Sequence, residues 1–441
     1  MGIYKDCDIR GIFGSELTGG ISRKIGLAAG TMIAGRSVLV SGDIRNSTRE
    51  LKEALIKGLE ETGAKVLDIG MNPTPVFYYA KKILGVYAGV QVTASHNPPK
   101  YNGFKFMFGE MPVQSSDIQK IEELAEKGPY IYGKGSIKKI EGIWDKYGRD
   151  VSLLTGYMRG KVVVDAGNGT VSELMPRLFA RKGMQVVPLF CEYDGRFPNR
   201  DPNPAVYSHL TALQKKVRES GADFGCAFDG DGDRVVFVDD KGRIAMSEQS
   251  FVILIREYLK DGPGKVVYDL KSSSIVRNEV LKLGGVPLME RSGHPFIKRT
   301  LLGKGAVLGG EISGHFFFGE LGYDDGMYAA LKMAEILARA GKKFSAVLDD
   351  IPNTVITPDI RISVPYDRQE GILDNLRALG DRYALSEMDG VRLEFPFGWL
   401  LVRKSVTEQA MTARIEAEDA QGLQKIKDIL ISNAGEFEGR L

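Results

Sequence analysis

Two short stretches of the chain hold residues suited to moving a charged group. In Thr93-Ala94-Ser95-His96-Asn97-Pro98 a hydroxyl stands straight after an apolar run that reads as a buried strand. A serine oxygen is a poor nucleophile unless a base, a metal or a set of anion-stabilising donors assists it. His96 is adjacent, Lys105 follows in Tyr101-Asn102-Gly103-Phe104-Lys105, and Pro98 stiffens the exit. A polar turn whose serine caps a backbone amide would share this composition, and the Gly-x-Ser-x-Gly elbow of serine hydrolases is absent. The second stretch is Asp229-Gly230-Asp231-Gly232-Asp233-Arg234. Its glycines leave the backbone free to wrap three carboxylates around one point. Such hard oxygen donors suit Mg²⁺, and without a cation they would repel one another. An EF-hand loop opens in the same way, but it needs Gly at its sixth position and Glu at its twelfth. Here those positions are Arg234 and Asp240, and the flanks read as strands.

Two further loops suit recognition. Glu311-Ile312-Ser313-Gly314-His315 offers an acceptor, a hydroxyl and an imidazole, the mixture that reads sugar hydroxyls. Arg291-Ser292-Gly293-His294-Pro295 ends a strand of the same unit and can supplement that wall. Near the end, Arg403-Lys404-Ser405-Val406-Thr407 sets a guanidinium beside two hydroxyls. Arginine and concave backbone donors fit phosphate oxygens, although a solvated turn would have the same composition.

The elements that must position these loops repeat. Val38-Leu39-Val40-Ser41-Gly42-Asp43, Val162-Val163-Val164-Asp165-Ala166-Gly167 and Val266-Val267-Tyr268-Asp269-Leu270-Lys271 each read as a strand that breaks at small or polar residues. Helical patterns follow at 48–62, 171–182 and 274–283, second strands at 64–69, 184–189 and 285–290, and third strands at 88–93, 224–228 and 306–309. Units on the order of a hundred residues apart are domain duplications, not solenoid turns. The serine, aspartate and glutamate loops each follow a third strand, where open α/β sheets bind ligands, so the three should converge on one cleft. After about Thr357 the rhythm changes. Alternating runs at 360–364, 391–395 and 413–417, with helical patterns at 368–379 and 420–433, predict a small antiparallel sheet with two helices. Pro352 and Pro358 bracket the linker.

Length and composition bound the rest. At 441 residues several domains are expected, with boundaries at 1–140, 141–243, 244–354 and 355–441. A hydrophobic share of 43% and the lack of a long apolar run argue against a membrane protein. The net charge of +2, from 59 basic and 57 acidic residues, gives no general attraction to nucleic acid. Cys7, Cys191 and Cys226 form neither a zinc pattern nor a disulfide framework, and the first residues lack a secretory apolar core. A cytoplasmic protein is expected, as monomer or homodimer.

With these loops in place the chain resembles the α-D-phosphohexomutase family, most closely its phosphomannomutase/phosphoglucomutase branch, over nearly its whole length. Asp8-Ile9-Arg10-Gly11, Asp43-Ile44-Arg45, Pro73-Thr74-Pro75, Phe197-Pro198-Asn199 and Asp201-Pro202-Asn203-Pro204 support the match, as does Gly293-His294. The resemblance implies three related α/β/α domains with mixed sheets and a C-terminal α+β domain around a central cleft. It implies a phosphoserine at Ser95 whose phosphate completes the Mg²⁺ shell of Asp229, Asp231 and Asp233. Lys105, His96 and Arg10 would steady the transferring group or move protons, with Lys105 and His315 as candidates for the base. Arg234 and Lys271 would line the cleft, Glu311 and Ser313 would hold sugar hydroxyls, and Arg403, Ser405 and Thr407 would hold the unreacting phosphate. The implied reaction interconverts hexose 1-phosphate and hexose 6-phosphate of mannose or glucose through a hexose 1,6-bisphosphate. A phosphoglucosamine mutase and a catalytically retired phosphosugar-binding regulator share the same motifs. Val406, Gln409 and Cys7 depart from the family pattern.

Overall fold

In the computed structural model, which describes residues 2–405 and 409–440, three mixed sheets are built to one plan. In the first, Ser37–Gly42 lies between Lys65–Met71 and Ala88–Val92, parallel to both, and Tyr101–Phe108 returns antiparallel along Ala88–Val92. The second sets Lys161–Asp165 between Gln185–Leu189 and Phe224–Phe228, with Val235–Asp239 returning. The third sets Lys265–Asp269 between Val286–Glu290 and Leu308–Gly310, with Phe316–Phe318 returning. The central strands are β-branched and buried, as strands covered on both faces must be. The predicted third strand at 306–309 is shifted slightly, to Leu308–Gly310, and the helix expected over 171–182 is confined to Leu174–Arg181. The turn between each third strand and its antiparallel return holds, in order, the serine, aspartate and glutamate loops.

The tail sheet is antiparallel, with Val391–Phe395, Gly398–Lys404 and Ala410–Ala417 at its centre. Helices Tyr366–Arg377 and Ala420–Asn433 cover one face, and Asp419 caps the second by accepting the Gly422 N–H at 2.7 Å. Arg403 and Lys404, expected in a phosphate-binding loop, end the strand Gly398–Lys404, because Trp399 to Val402 form a buried run that continues into them. Val406 and Thr407 lie outside the described residues.

One apolar core runs from helix Thr74–Ile83 of the first unit, through Phe179 and Phe224, to Phe251, Phe316 and Met327 of the third. The first three units therefore share an interior. The tail has its own core and meets the third unit through the small cluster Leu270, Trp399 and Leu401. Among the described residues, no helix is long and apolar enough to cross a membrane.

Candidate active site

The serine loop is held in an uncommon conformation. Ser95 has φ of +50°, the left-handed region that costs a residue with a side chain on the order of 1 kcal/mol. Its N–H is donated to Thr93 Oγ1 at 2.9 Å. Its hydroxyl is donated to Asp229 Oδ2 at 2.7 Å and lies 3.3 Å from His96 Nδ1. The aspartate loop comes this close because Gly230 has no side chain: a Cβ there would lie 2.7 Å from the Ser95 carbonyl oxygen. Thr74, from the segment Pro73-Thr74-Pro75, bridges the same seam. It donates its N–H to the Asp231 carbonyl at 2.8 Å and its hydroxyl to Asp231 Oδ2 at 2.6 Å.

Asp229, Asp231 and Asp233 are fully buried, and each offers a carboxylate oxygen within 4.8 Å of the other two. Asp229 Oδ1 accepts the N–H groups of Gly232 and Arg234, which fixes the turn. Burial, and then the charges of Asp233 and Asp231, hold its carboxyl well above the usual range. Asp231 is also penalised by burial, but Lys105 and the Thr74 hydroxyl overcome this and lower it. Lys105 Nζ donates to Asp231 Oδ2 at 2.9 Å and Asp233 Oδ2 at 2.6 Å. The other oxygens, Asp231 Oδ1 and Asp233 Oδ1, are buried without a hydrogen-bond partner among the described residues. Buried polar atoms are normally paired. Two orphaned carboxylate oxygens beside a third carboxylate are a donor set that fits a hard divalent cation.

The remaining wall comes from the third unit. His315 lies in a backbone bridge to Arg234 and accepts the Arg234 Nε–H on Nε2 at 3.0 Å. That bond leaves the ring proton on Nδ1, which faces Asp324 Oδ2 at 2.9 Å. Glu311 accepts the Gly293 N–H at 2.7 Å and the Ser313 hydroxyl at 3.0 Å, joining the two predicted sugar-facing loops. His294 begins a helix beside them, its ring centre 5.9 Å from that of His315, with Nδ1 unpartnered among the described residues. On the first unit's side, Arg10 donates to Asn97 Oδ1 at 2.6 Å and pairs with Asp8. His96 is held well below its usual range by burial and by Arg234 and Arg10, so its ring is neutral.

Three expected residues stand apart from this cluster. Lys271 pairs with Asp359 of the linker, and Arg403 pairs with Asp389 at 2.6 Å. Ser405 donates its N–H to the Ala410 carbonyl at 2.8 Å. Cys7 is half-buried against the first unit's core, and burial, with Asp6 and Asp8, pushes its thiol up to about 11. Sequence reasoning missed the roles of Thr74, Asp324 and Arg45. Thr74 and Arg45 lie inside short stretches that matched the family, which was the available signal, whereas Asp324 gave none.

The comparisons agree with this architecture. Family models described as phosphoglucomutase/phosphomannomutase, alpha/beta/alpha domains I, II and III match residues 2–130, 151–242 and 247–355. A phosphomannomutase/phosphoglucomutase of Pseudomonas aeruginosa is 38% identical over 437 residues, covering 97% of this chain and 94% of that protein. A phosphoglucomutase of Neisseria gonorrhoeae is 35% identical over 444 residues, covering 97% and 95%. The crystal structure of a phosphoglucomutase/phosphomannomutase family protein from Burkholderia thailandensis has a TM-score of 0.92 and 35% identity, covering 100% of this chain and 98% of that one. The chain belongs to the phosphoglucomutase/phosphomannomutase branch of the α-D-phosphohexomutase family.

Proposed function

We propose that this protein interconverts hexose 1-phosphate and hexose 6-phosphate, with mannose or glucose as the sugar, through a phosphoserine at Ser95. The observation that carries the reading is the Ser95 hydroxyl, held at φ +50° and 2.7 Å from the carboxylate of Asp229. In the first half-reaction the bond from phosphorus to Ser95 Oγ breaks and a bond to a sugar hydroxyl oxygen forms. The proton of that hydroxyl passes to a base on the enzyme. His315 fits this role better than Lys105. It has an orienting carboxylate in Asp324, and its Nε2 would serve as the base on giving up the Arg234 N–H, whereas Lys105 is tied by two buried aspartates. The resulting hexose 1,6-bisphosphate reorients and returns its other phosphoryl group to Ser95. Asp229, Asp231 and Asp233, together with the serine phosphate, would hold Mg²⁺, which when bound neutralises charge on the transferring group.

The other residues position and neutralise. Arg10, His96, Lys105 and Arg234 surround the serine with donors and positive charge. Gly293, His294, Glu311 and Ser313 face the sugar. Lys271 would exchange Asp359 for the substrate. Arg403 and Ser405, with Thr407 beyond the described residues, would hold the second phosphate. The chain divides into units at 1–140, 141–243, 244–354 and 355–441.

A coupled assay with Mg²⁺, either glucose 1-phosphate or mannose 1-phosphate, and a trace of the bisphosphate tests this. Turnover should vanish with EDTA and in Ser95→Ala; a Ser95→Ala variant with normal turnover would refute the phosphoserine mechanism. Turnover confined to glucosamine phosphates would reassign the sugar, and binding without turnover on any of them would make the protein a regulator.

A further inference from the structure

We infer that Arg45 is the positioning residue that aims the Ser95 nucleophile, an inference that rests on the phosphoserine reading above. Arg45 is 2% exposed and does not touch the Ser95 side chain. A guanidinium has five N–H donors in a fixed plane, and here all five are used. Nε donates to Asp43 Oδ2 at 3.1 Å. Nη1 donates to the carbonyls of Pro98 at 2.9 Å and Tyr101 at 3.0 Å. Nη2 donates to the carbonyls of Ser95 at 2.8 Å and Asn97 at 2.6 Å. Four of the five acceptors are backbone oxygens of the loop that carries the nucleophile, gathered toward one point. One buried donor group thus holds the carbonyls of Ser95 and of residues that follow it, and their shared orientation is what keeps Ser95 in the left-handed region.

The anchor itself is fixed. Asp43 receives the Arg45 N–H at 3.0 Å, the Thr48 hydroxyl at 2.5 Å and the Thr93 hydroxyl at 2.7 Å. Thr93 is also the acceptor for the Ser95 N–H, so the loop is gripped from both its ends. On the outer side the Phe197 ring of the second unit lies 5.1 Å from the guanidinium and closes the site to water. The second unit repeats the device. Arg200 binds Asp165 through Nε at 2.9 and 3.0 Å and donates Nη2 to the Phe228 carbonyl at 2.7 Å, one residue before Asp229. Both partners in the 2.7 Å contact between Ser95 and Asp229 therefore hang from buried arginines set by an aspartate at or just beyond the end of their unit's central strand. Lysine can keep the charge at position 45, but its three donors cannot serve five acceptors in a plane.

The test uses the full-length enzyme, stripped of phosphate, with the variants Arg45→Lys, Arg45→Gly and Ser95→Ala. Each is mixed with glucose 1,6-bisphosphate and phosphoryl uptake is followed by intact mass in a single turnover. The amplitude reports the folded fraction, and the rate constant reports the aim of the serine. Misplacing a reacting atom by about 1 Å costs on the order of 100-fold. The uptake rate constant of Arg45→Lys should fall by that order, while the bisphosphate concentration for half-maximal rate stays close to that of the parent. Added guanidinium ion should restore part of the rate in Arg45→Gly and none in Arg45→Lys. A parental rate constant in Arg45→Lys, or a loss confined to the amplitude, overturns the inference. The Lys variant carries the test if the Gly variant does not fold. Phosphoryl uptake by Ser95→Ala would instead refute the phosphoserine reading itself, so the two failures are distinct.

Discussion

Where the first unit meets the second, Thr74 grips Asp231, Gly230 lies against the Ser95 carbonyl, Phe197 covers Arg45, and a continuous apolar core runs beneath. Where the third unit meets the tail, the apolar contact among the described residues is a small cluster of Leu270, Trp399 and Leu401 flanked by Met289 and Ile356, and polar groups add to it. There the buried Glu416 accepts from the Ser273 hydroxyl, the Ser274 N–H and the Trp399 indole, Arg392 donates to the Leu270 carbonyl, and Arg414 pairs with Glu248. The two seams differ in what opening them would cost. Separating the first exposes core side chains at about 25 cal/mol per Å² with no compensation from water. Separating the second breaks hydrogen bonds that water or a phosphorylated ligand can replace, at about 1 kcal/mol net for each. The reacting atoms thus sit at the apolar seam, whereas Arg403 and Ser405, proposed to hold the second phosphate, belong to the tail beyond the polar one.

Asp231→Asn puts most at stake at the apolar seam. It loses a carboxylate shared by Thr74, Lys105 and the proposed metal, and turnover should fall on the order of 100- to 1,000-fold. Calorimetric Mg²⁺ titration should show weakened binding; unchanged affinity and turnover would remove Asp231 from the reacting seam. Next comes Asp325, which caps helix Gly326–Ala340 and accepts the Tyr147 hydroxyl at 2.7 Å, also within the fused region. Burial pushes its carboxyl up to about 7 from an ordinary 3.8. Between those values the unfolded chain has released a proton that the folded chain keeps. Its contribution to stability is therefore full below about pH 4 and lost as pH rises through about 7. Asp325→Asn should flatten that slope, a change of about 4 kcal/mol, in denaturant titrations from pH 4 to 8.

At the polar seam the effects are smaller. Glu416→Ala leaves three donors unpaired and should cost about 2 kcal/mol by denaturant midpoint. Hydrogen exchange should quicken at 270–275 and stay unchanged at 229–234; equal quickening at both would mean the two seams are one cooperative unit. The smallest effect is expected from Asp359→Asn, which removes the more exposed partner of the Lys271 pair. It should lower KM for the sugar phosphate by less than about 5-fold, in line with the roughly 1 kcal/mol of such a pair. A raised KM would mean that Asp359 holds Lys271 ready for the substrate and does not compete with it.

Much of the site could be read in advance because its chemistry is contiguous. Ser95 with its Pro98 exit, and three aspartates spaced by glycines, are local patterns whose geometry follows from turn chemistry and charge repulsion. The three repeats were legible for the same reason, since β-branched strand runs and helical periodicity are local. Arg45 and Thr74 were visible as letters, but their use was not. Thr74 acts on a residue 157 positions away, and Arg45 on carbonyls 50 or more positions along. Arg403 and Lys404 misled because Arg-Lys-Ser reads as a phosphate-binding loop, whereas pairing with Ala410–Ala417 extends the strand through them.

The sequence by itself determined the order of the loops, the donor types each carries and the α/β class of the units, because periodicity, turn residues and unlike charges act over a few neighbours. Only the tertiary structure decided that Asp324 orients His315, that Glu416 holds the tail to the third unit, and that one core fuses three units and leaves the fourth apart. Those outcomes depend on which buried polar group finds a partner once separate domains pack. Distance along the chain carries no information about that.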